Sequence, residues 1–502
     1  DLVVNTKSMY AGSQRSVKLQ YFFDEGTDVD HFHYFKNKRT NTAIMLALQA
    51  SQPADMALIS GFAEYSRGGL QGGEYSTGDP TGKRPIVILL PGIMGSCLSK
   101  DFEDIWLDYW RMLKGALLQL DTSVTGIRAP AIIKTSYQQL GIALGADYDV
   151  VTFPFDWRLS SKDAAAALDT KLKMLQALNQ PIRIVAHSLG GVVVRDLMVF
   201  FPETWKQLNR SDDFRLVFLG SPLMGSFRII NVLFGEDDII SKLSKLDLLH
   251  TKKTLLTMFS KFPGILGLLP LTKDGQNNFA DQAVWAVMAD AFGDSGWPIP
   301  QSNAGLDGFR DYRDKVVAAM PDLDLSKAVY VAGQFPQTPC GYRIDTIDGN
   351  RKNLVLLSTA EGDQSVTWDL GIPARMISNN SVYYVNHSHG DLSNSPDMFS
   401  GIKEILEKGR TSLFSNIRPM VRGDQKTFRK PLTTDFDLSQ EAVERTMLGL
   451  SGDKSVESSR LPVKVSVAHG DLKYATYPVL AGHFKRDSVL YGDKRIDQLL
   501  AG

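Results

Sequence analysis

Ala186-His187-Ser188-Leu189-Gly190-Gly191 stands between two apolar runs. Pro181-Ile182-Arg183-Ile184-Val185 before it reads as a buried strand, and Val192-Val193-Val194-Arg195-Asp196-Leu197-Met198 after it reads as a buried helix. A serine at so tight a strand-to-helix turn needs nearly side-chain-free residues two positions before and two after it. Here those residues are Ala186 and Gly190. Alanine replaces the usual glycine because only bulk is excluded. The turn lifts the serine hydroxyl out of the sheet, and the helix that follows aims its first N–H groups at any oxyanion formed there. Ser188 is therefore the candidate nucleophile.

Working outward, further strand candidates come in alternation with helices. Pro85-Ile86-Val87-Ile88-Leu89-Leu90 ends at Pro91-Gly92, and Asp147-Tyr148-Asp149-Val150-Val151-Thr152 precedes Phe153-Pro154-Phe155-Asp156-Trp157-Arg158. Arg215-Leu216-Val217-Phe218-Leu219 ends at Gly220-Ser221-Pro222, and Ala328-Val329-Tyr330-Val331-Ala332 and Asn353-Leu354-Val355-Leu356-Leu357 complete the set. Helical stretches such as 163–178 separate most of them. Buried strands alternating with helices predict an α/β chain with a mostly parallel sheet covered on both faces, and the serine turn makes it an α/β-hydrolase fold. Residues 227–320 break this rhythm with apolar segments such as Phe262-Pro263-Gly264-Ile265-Leu266-Gly267-Leu268-Leu269-Pro270. A helical cap over a greasy substrate fits that pattern, and plain helix packing on the sheet fits it equally.

At 502 residues the chain is long enough for more than one domain. Its 43% hydrophobic content suits a globular core, and a net charge of −1 gives no basic surface for nucleic acid. Two cysteines, Cys97 and Cys340, make neither a disulfide framework nor a metal cluster, which points to a reducing compartment such as the cytoplasm. No metal or other cofactor is expected. No apolar run is long enough to span a bilayer. The start at Asp1 and the stop at Ala501-Gly502 read as a fragment or processed product. Polar breaks around 66–83 and 418–430 divide the chain into 1–50, a linker at 51–83, a hydrolase domain at 84–412 and a C-terminal segment at 413–502 of possible regulatory role.

A serine hydrolase needs a base beside the hydroxyl and an acid that orients the base. In this fold they follow in the order serine, acid, histidine. Asp363, in Glu361-Gly362-Asp363-Gln364-Ser365-Val366 after the last strand candidate, is the expected acid, with Glu361 as a rival. Downstream, Asn386-His387-Ser388-His389-Gly390-Asp391 offers His389 as the base, on a loop before a helix. His387 reads as a structural neighbour, His469 lies beyond the second break, and His187 is expected to be buried and hydrogen-bonded. The oxyanion hole needs two backbone donors. Leu189 N–H is one; Ile93 N–H, in Pro91-Gly92-Ile93-Met94-Gly95-Ser96, is the other, with Met94 as the fallback.

Several strings occur in a telling order: Pro91-Gly92-Ile93-Met94-Gly95-Ser96, Ile105-Trp106-Leu107-Asp108, Phe155-Asp156-Trp157-Arg158, Ala186-His187-Ser188-Leu189-Gly190-Gly191 and Gly220-Ser221-Pro222-Leu223-Met224-Gly225-Ser226. Together, over about residues 84–412, the chain resembles the lecithin:cholesterol acyltransferase-like lipases. That resemblance implies ester hydrolysis or acyl transfer on a lipid or ester substrate, at a membrane surface, with a cap over the acyl site. It also implies pocket-wall roles for Trp106 and Trp157, which ordinary core packing explains as well. The acid loop departs from the family's Gly-Asp-Gly-Thr-Val pattern at Gln364 and Ser365, which opens the question of its conformation.

The ends carry weaker echoes. Asp1-Leu2-Val3-Val4 followed by Asp30-His31-Phe32-His33 repeats the acid-then-histidine pattern, as the tail of a preceding hydrolase domain or as a decoration of the central one. Residues 461–502, with the alternating run Leu461-Pro462-Val463-Lys464-Val465-Ser466-Val467, resemble a module found beside caspase-like CHAT peptidases, which implies a regulatory peptidase or protein partner. The expected function is a serine lipase or phospholipase. Acyl transfer with the same residues, a peptidase or thioesterase, and an inactive binding module on a hydrolase fold are the alternatives.

Overall fold

The computed structural model describes residues 20–21, 40, 42, 57–58, 74–101, 103–247, 249–302, 305–347, 351–420 and 425–429. The chain divides into two units, Asp1–Ser451 and Gly452–Gly502, and every described residue belongs to the first. The expected readings at Asp1, His33, 461–467 and His469 lie outside the described residues.

Six strands form the central sheet: β1 (Ile86–Leu90), β2 (Asp149–Thr152), β3 (Ile182–His187), β4 (Arg215–Leu219), β5 (Ala328–Gly333) and β6 (Val382–Val385). Their order is β6-β5-β4-β3-β1-β2, and every pairing is parallel. Alternate residues of each strand enter different cores. Ile86, Ile88 and Leu90 pack with Ile184, Ala186, Leu216 and Phe218, whereas Val87 and Leu89 pack with Val185, Val217 and Leu219. Both faces are thus apolar, because helices cover both. Helices α1 (Lys134–Gly145) and α5 (Pro396–Lys408) close one face; α2 (Ser161–Gln176) and α3 (Leu189–Phe200) close the other. Between α3 and α5 in the chain lies α4 (Arg228–Leu233), at the start of the segment expected as a cap. This is the α/β-hydrolase fold. From β1 the chain crosses to β2 on one side and from β3 to β4 on the other, so the crevice at the carboxyl ends of β1 and β3 is the switch point where such sheets bind ligands.

Three boundaries differ from the sequence reading. The Asn353–Leu357 run does not join the central sheet. It lies in the strand Arg351–Thr359, paired antiparallel with Thr338–Ile347 in a hairpin between β5 and β6. Its polar start, Arg351-Lys352-Asn353, is exposed, which a central strand covered by helices does not allow. The domain also extends past its expected limits. Glu74–Tyr75 pairs with Ile132–Ile133, Thr81 bonds Asp149 at 2.8 Å, and Lys426–Thr427 pairs with Leu357 and Ser358. Finally, the segment 227–320 is helical, with no strand among its described residues, but its last helix, Leu306–Ala319, belongs to the body. Tyr312 in that helix bonds Asp196 of α3 at 3.0 Å.

Candidate active site

Ser188 stands between β3 and α3 with φ 53° and ψ −122°, a backbone state rare for a residue with a side chain. Two features hold it there. Its N–H donates to Leu219 O of the neighbouring β4 at 2.9 Å. Gly190 faces β1 so closely that a Cβ on it would lie 2.8 Å from both Leu90 O and Pro91 O. Ala186, two residues before the serine, is fully buried.

The structure brings Ser188, His389 and Asp363 together. Ser188 Oγ is 2.8 Å from His389 Nε2, and His389 Nδ1 is 2.8 Å from Asp363 Oδ2. A carboxylate only accepts, so Nδ1 carries the proton and Nε2 is left to accept the serine O–H. All three are buried. Asp363 Oδ1 accepts from Ser365 N at 3.0 Å and Val366 N at 2.8 Å, which fixes the orientation of the carboxylate. His389 N–H donates to Asp363 O at 2.8 Å, so backbone as well as side chain ties the acid loop to the histidine loop. Gly220, at the end of β4 with φ 55°, leaves the room the pair occupies: a Cβ there would lie 2.5 Å from Asp363 Oδ2 and 3.1 Å from His389 Nδ1.

The rivals are engaged elsewhere. Glu361 is ion-paired with Arg418 at 3.0 Å, and His387 Nε2 is 3.0 Å from Asp397. His187 is buried with both ring nitrogens bonded. Gln364, where the resembled family has glycine, keeps the left-handed backbone at φ 90°. Thr338 Oγ1 accepts its N–H at 2.9 Å and holds the turn.

Leu189 opens α3, so its N–H has no acceptor within the helix and faces the turn of Ser188. In the loop after β1, Gly95 N–H donates to Gly92 O at 3.1 Å. A trans peptide carries C=O and N–H on opposite sides, so this bond sends the Ile93 N–H the other way. Met94 sits in the left-handed region at φ 59°. Its carbonyl accepts the Trp106 indole N–H at 2.9 Å, and the Trp157 indole N–H donates to Ser96 O at 3.2 Å. Both indoles are buried and meet edge-on at 5.1 Å. They brace the loop after β1 from within the core, as ordinary core packing predicts.

Two participants escaped the sequence reading. Tyr137, on α1, bonds both Gly92 N at 2.7 Å and His187 Nδ1 at 2.8 Å. Arg228, the first residue of α4, bonds Ser365 Oγ and reaches Asp237 at 2.7 Å, tying the start of the 227–320 segment to the loop of Asp363. Neither lies in a catalytic motif; each is found only by its contacts.

Residues 120–295 match the family model of lecithin:cholesterol acyltransferase. The chain resembles that family. The matched stretch contains Ser188 and the motif after β4, but ends before Asp363 and His389. No curated protein matches the chain significantly. Among solved structures, the mature form of lipase BlEst2 from Bacillus licheniformis is 13% identical, aligns over 67% of this chain and 97% of its own, and has a TM-score of 0.31. For the propeptide form the identity is again 13%, over 67% of this chain and 53% of the other, with a TM-score of 0.30. An esterase from Exiguobacterium antarcticum is 11% identical over 67% of this chain and 94% of its own, at a TM-score of 0.25. The family match supports an enzyme of ester hydrolysis or acyl transfer. Among the described residues no helix is long and apolar enough to cross a membrane.

Proposed function

We propose that this protein is a serine hydrolase of lipid esters that works through an acyl-enzyme on Ser188. The hydrogen-bonded line from Asp363 through His389 to Ser188, 2.8 Å at each step, is the observation that carries the reading. His389 Nε2 takes the serine proton as Oγ attacks the ester carbonyl. Asp363 keeps the imidazole in the required tautomer and stabilises the imidazolium. The Ile93 and Leu189 N–H groups hold the oxyanion; losing one such donor costs roughly 3 kcal/mol of transition-state stabilisation. The imidazolium then protonates the departing alcohol. A water, deprotonated by His389, cleaves the acyl-enzyme and returns the serine.

A lipid alcohol in place of that water would make the same site an acyltransferase. The apolar helical segment from Arg228 and the family match favour a lipid over a peptide or thioester as the acyl donor. A fluorophosphonate probe tests the mechanism. Labelling is expected in the wild type and absent in Ser188→Ala. Equal labelling of the two, or none in a folded wild type, would remove Ser188 from the chemistry. Profiling glycerophospholipids and neutral glycerides, each with and without a long-chain alcohol acceptor, then assigns substrate and acceptor.

A further inference from the structure

The residue just before the nucleophile is itself a histidine, and its bonds have a fixed direction. His187 Nε2 lies 2.9 Å from the backbone oxygen of His389. A carbonyl oxygen only accepts, so Nε2 carries the proton. In the neutral ring Nδ1 must then accept, and Tyr137 Oη, 2.8 Å away, donates to it. Tyr137 Oη in turn accepts the Gly92 N–H at 2.7 Å. The result is a one-way chain from Gly92 through Tyr137 and His187 to His389. Tyr137 and His187 are both buried.

The two ends of this chain are the two loops the reaction needs. The Gly92 N–H lies in the Pro91–Gly92 peptide, the unit directly before the one that carries the Ile93 N–H, the candidate oxyanion donor. His389 is the candidate base, and its own N–H is bonded to Asp363 O at 2.8 Å. The donor loop follows β1 and the base loop follows β6, strands at different places in the sheet. His187 ends β3, between them, and adjoins Ser188. The rings of His187 and His389 have centroids 5.0 Å apart. Burial, with His389 beside it, holds the His187 pKa down to about 3, and the ring stays neutral while His389 works.

We propose that Tyr137 and His187 are positioning residues whose hydrogen-bond relay sets the oxyanion loop and the His389 loop in one register against Ser188. The proposal rests on the catalytic roles given above to Ser188, His389 and Ile93.

Three variants test it. Tyr137→Phe removes one oxygen and nothing else. His187→Asn keeps an acceptor near Tyr137 but loses the donor to the His389 carbonyl, whereas His187→Gln keeps that donor but loses the acceptor for Tyr137. With a p-nitrophenyl ester, all three variants should lower kcat by about 10- to 100-fold with KM within about twofold, because each breaks one link of the relay. Wild-type kcat in Tyr137→Phe, or in either His187 variant, would overturn the relay. Hydrogen exchange read by mass spectrometry over 91–96 and 386–391 gives a second measurement that needs no turnover. Tyr137→Phe should raise exchange in both segments; a rise in only one, or in neither, counts against the coupling. If the wild type is not labelled at Ser188, the catalytic reading fails, while hydrogen exchange still decides whether the loops are joined. Should His187→Asn not fold, Tyr137→Phe carries the test alone.

Discussion

Replacing Gln364 by glycine should stabilise this protein without slowing it. Gln364 is held at φ 90°, a region that costs a residue with a Cβ about 1–3 kcal/mol. The surroundings dictate that geometry. Thr338 Oγ1 accepts the Gln364 N–H at 2.9 Å, and Asp363 N–H donates to Val366 O at 3.2 Å across the turn. Both are backbone bonds that glycine keeps. The Gln364 side chain is only partly buried, so little packing is lost. Against the relief of strain stands the greater freedom of glycine in the unfolded chain, about 0.5–1 kcal/mol. The net gain is about 1 kcal/mol. In a domain of this size that amounts to a rise of roughly 1–2 °C in Tm, and a clearer shift of the urea midpoint at unchanged slope. Gln364→Ala retains the Cβ and should stay within about 0.5 kcal/mol of wild type. Esterase activity should not change, because Asp363 is fixed through Ser365 N, Val366 N and His389 and not through the Gln364 side chain. A midpoint lowered by 1 kcal/mol or more in the glycine variant, with alanine neutral, would refute the strain argument.

Asp363→Asn should lower kcat by roughly 10³–10⁴-fold, since an amide can donate toward Nδ1 and favours the wrong tautomer of His389; steady-state kinetics with a soluble ester measures it. Gly220→Ala places a methyl 2.5 Å from Asp363 Oδ2 at φ 55°, so activity should fall at least about 100-fold along with some stability, and wild-type turnover in a folded variant would show that the pair has room to spare. His187 gives stability a definite pH dependence. Its pKa is depressed, by burial first and by His389 second, to about 3, so its native contribution is whole above the ordinary histidine value of 6.5 and is lost as pH falls toward 3. The slope is about 1.4 kcal/mol per pH unit in that window; urea unfolding at stepped pH should show it, and His187→Gln should flatten it.

The parts legible in the sequence are those set by short-range physics. Apolar runs at 86–90, 184–186, 216–219 and 328–332 announce strands buried on both faces, because a polar residue there would meet a helix. Ala186 and Gly190 around Ser188 announce the tight turn because nothing larger fits between adjacent strands. Chain order after the nucleophile narrowed the acid and base to two closely spaced pairs, Asp363 or Glu361 and His387 or His389.

The sequence reading favours Asp363 and His389 from their place on loops, but only tertiary structure supplies the distances that bring them to the serine, and only it decided which apolar run joins which sheet. Asp363 and Glu361 are equally acidic in the sequence; only the fold turns one toward His389 and pairs the other with Arg418. The run at 353–357 has strand character, but whether it pairs in the central sheet or in a hairpin depends on partners elsewhere in the chain. Tyr137 and Arg228 carry no local signal at all. Their value lies in hydrogen bonds to distant loops, and a hydrogen bond between residues far apart in the chain leaves no period or spacing to read. The sequence therefore determined five of the six sheet strands, the elbow and the short list of reactive groups, but not the edge strand β6; the alignment of those groups to within bonding distance belongs to the fold.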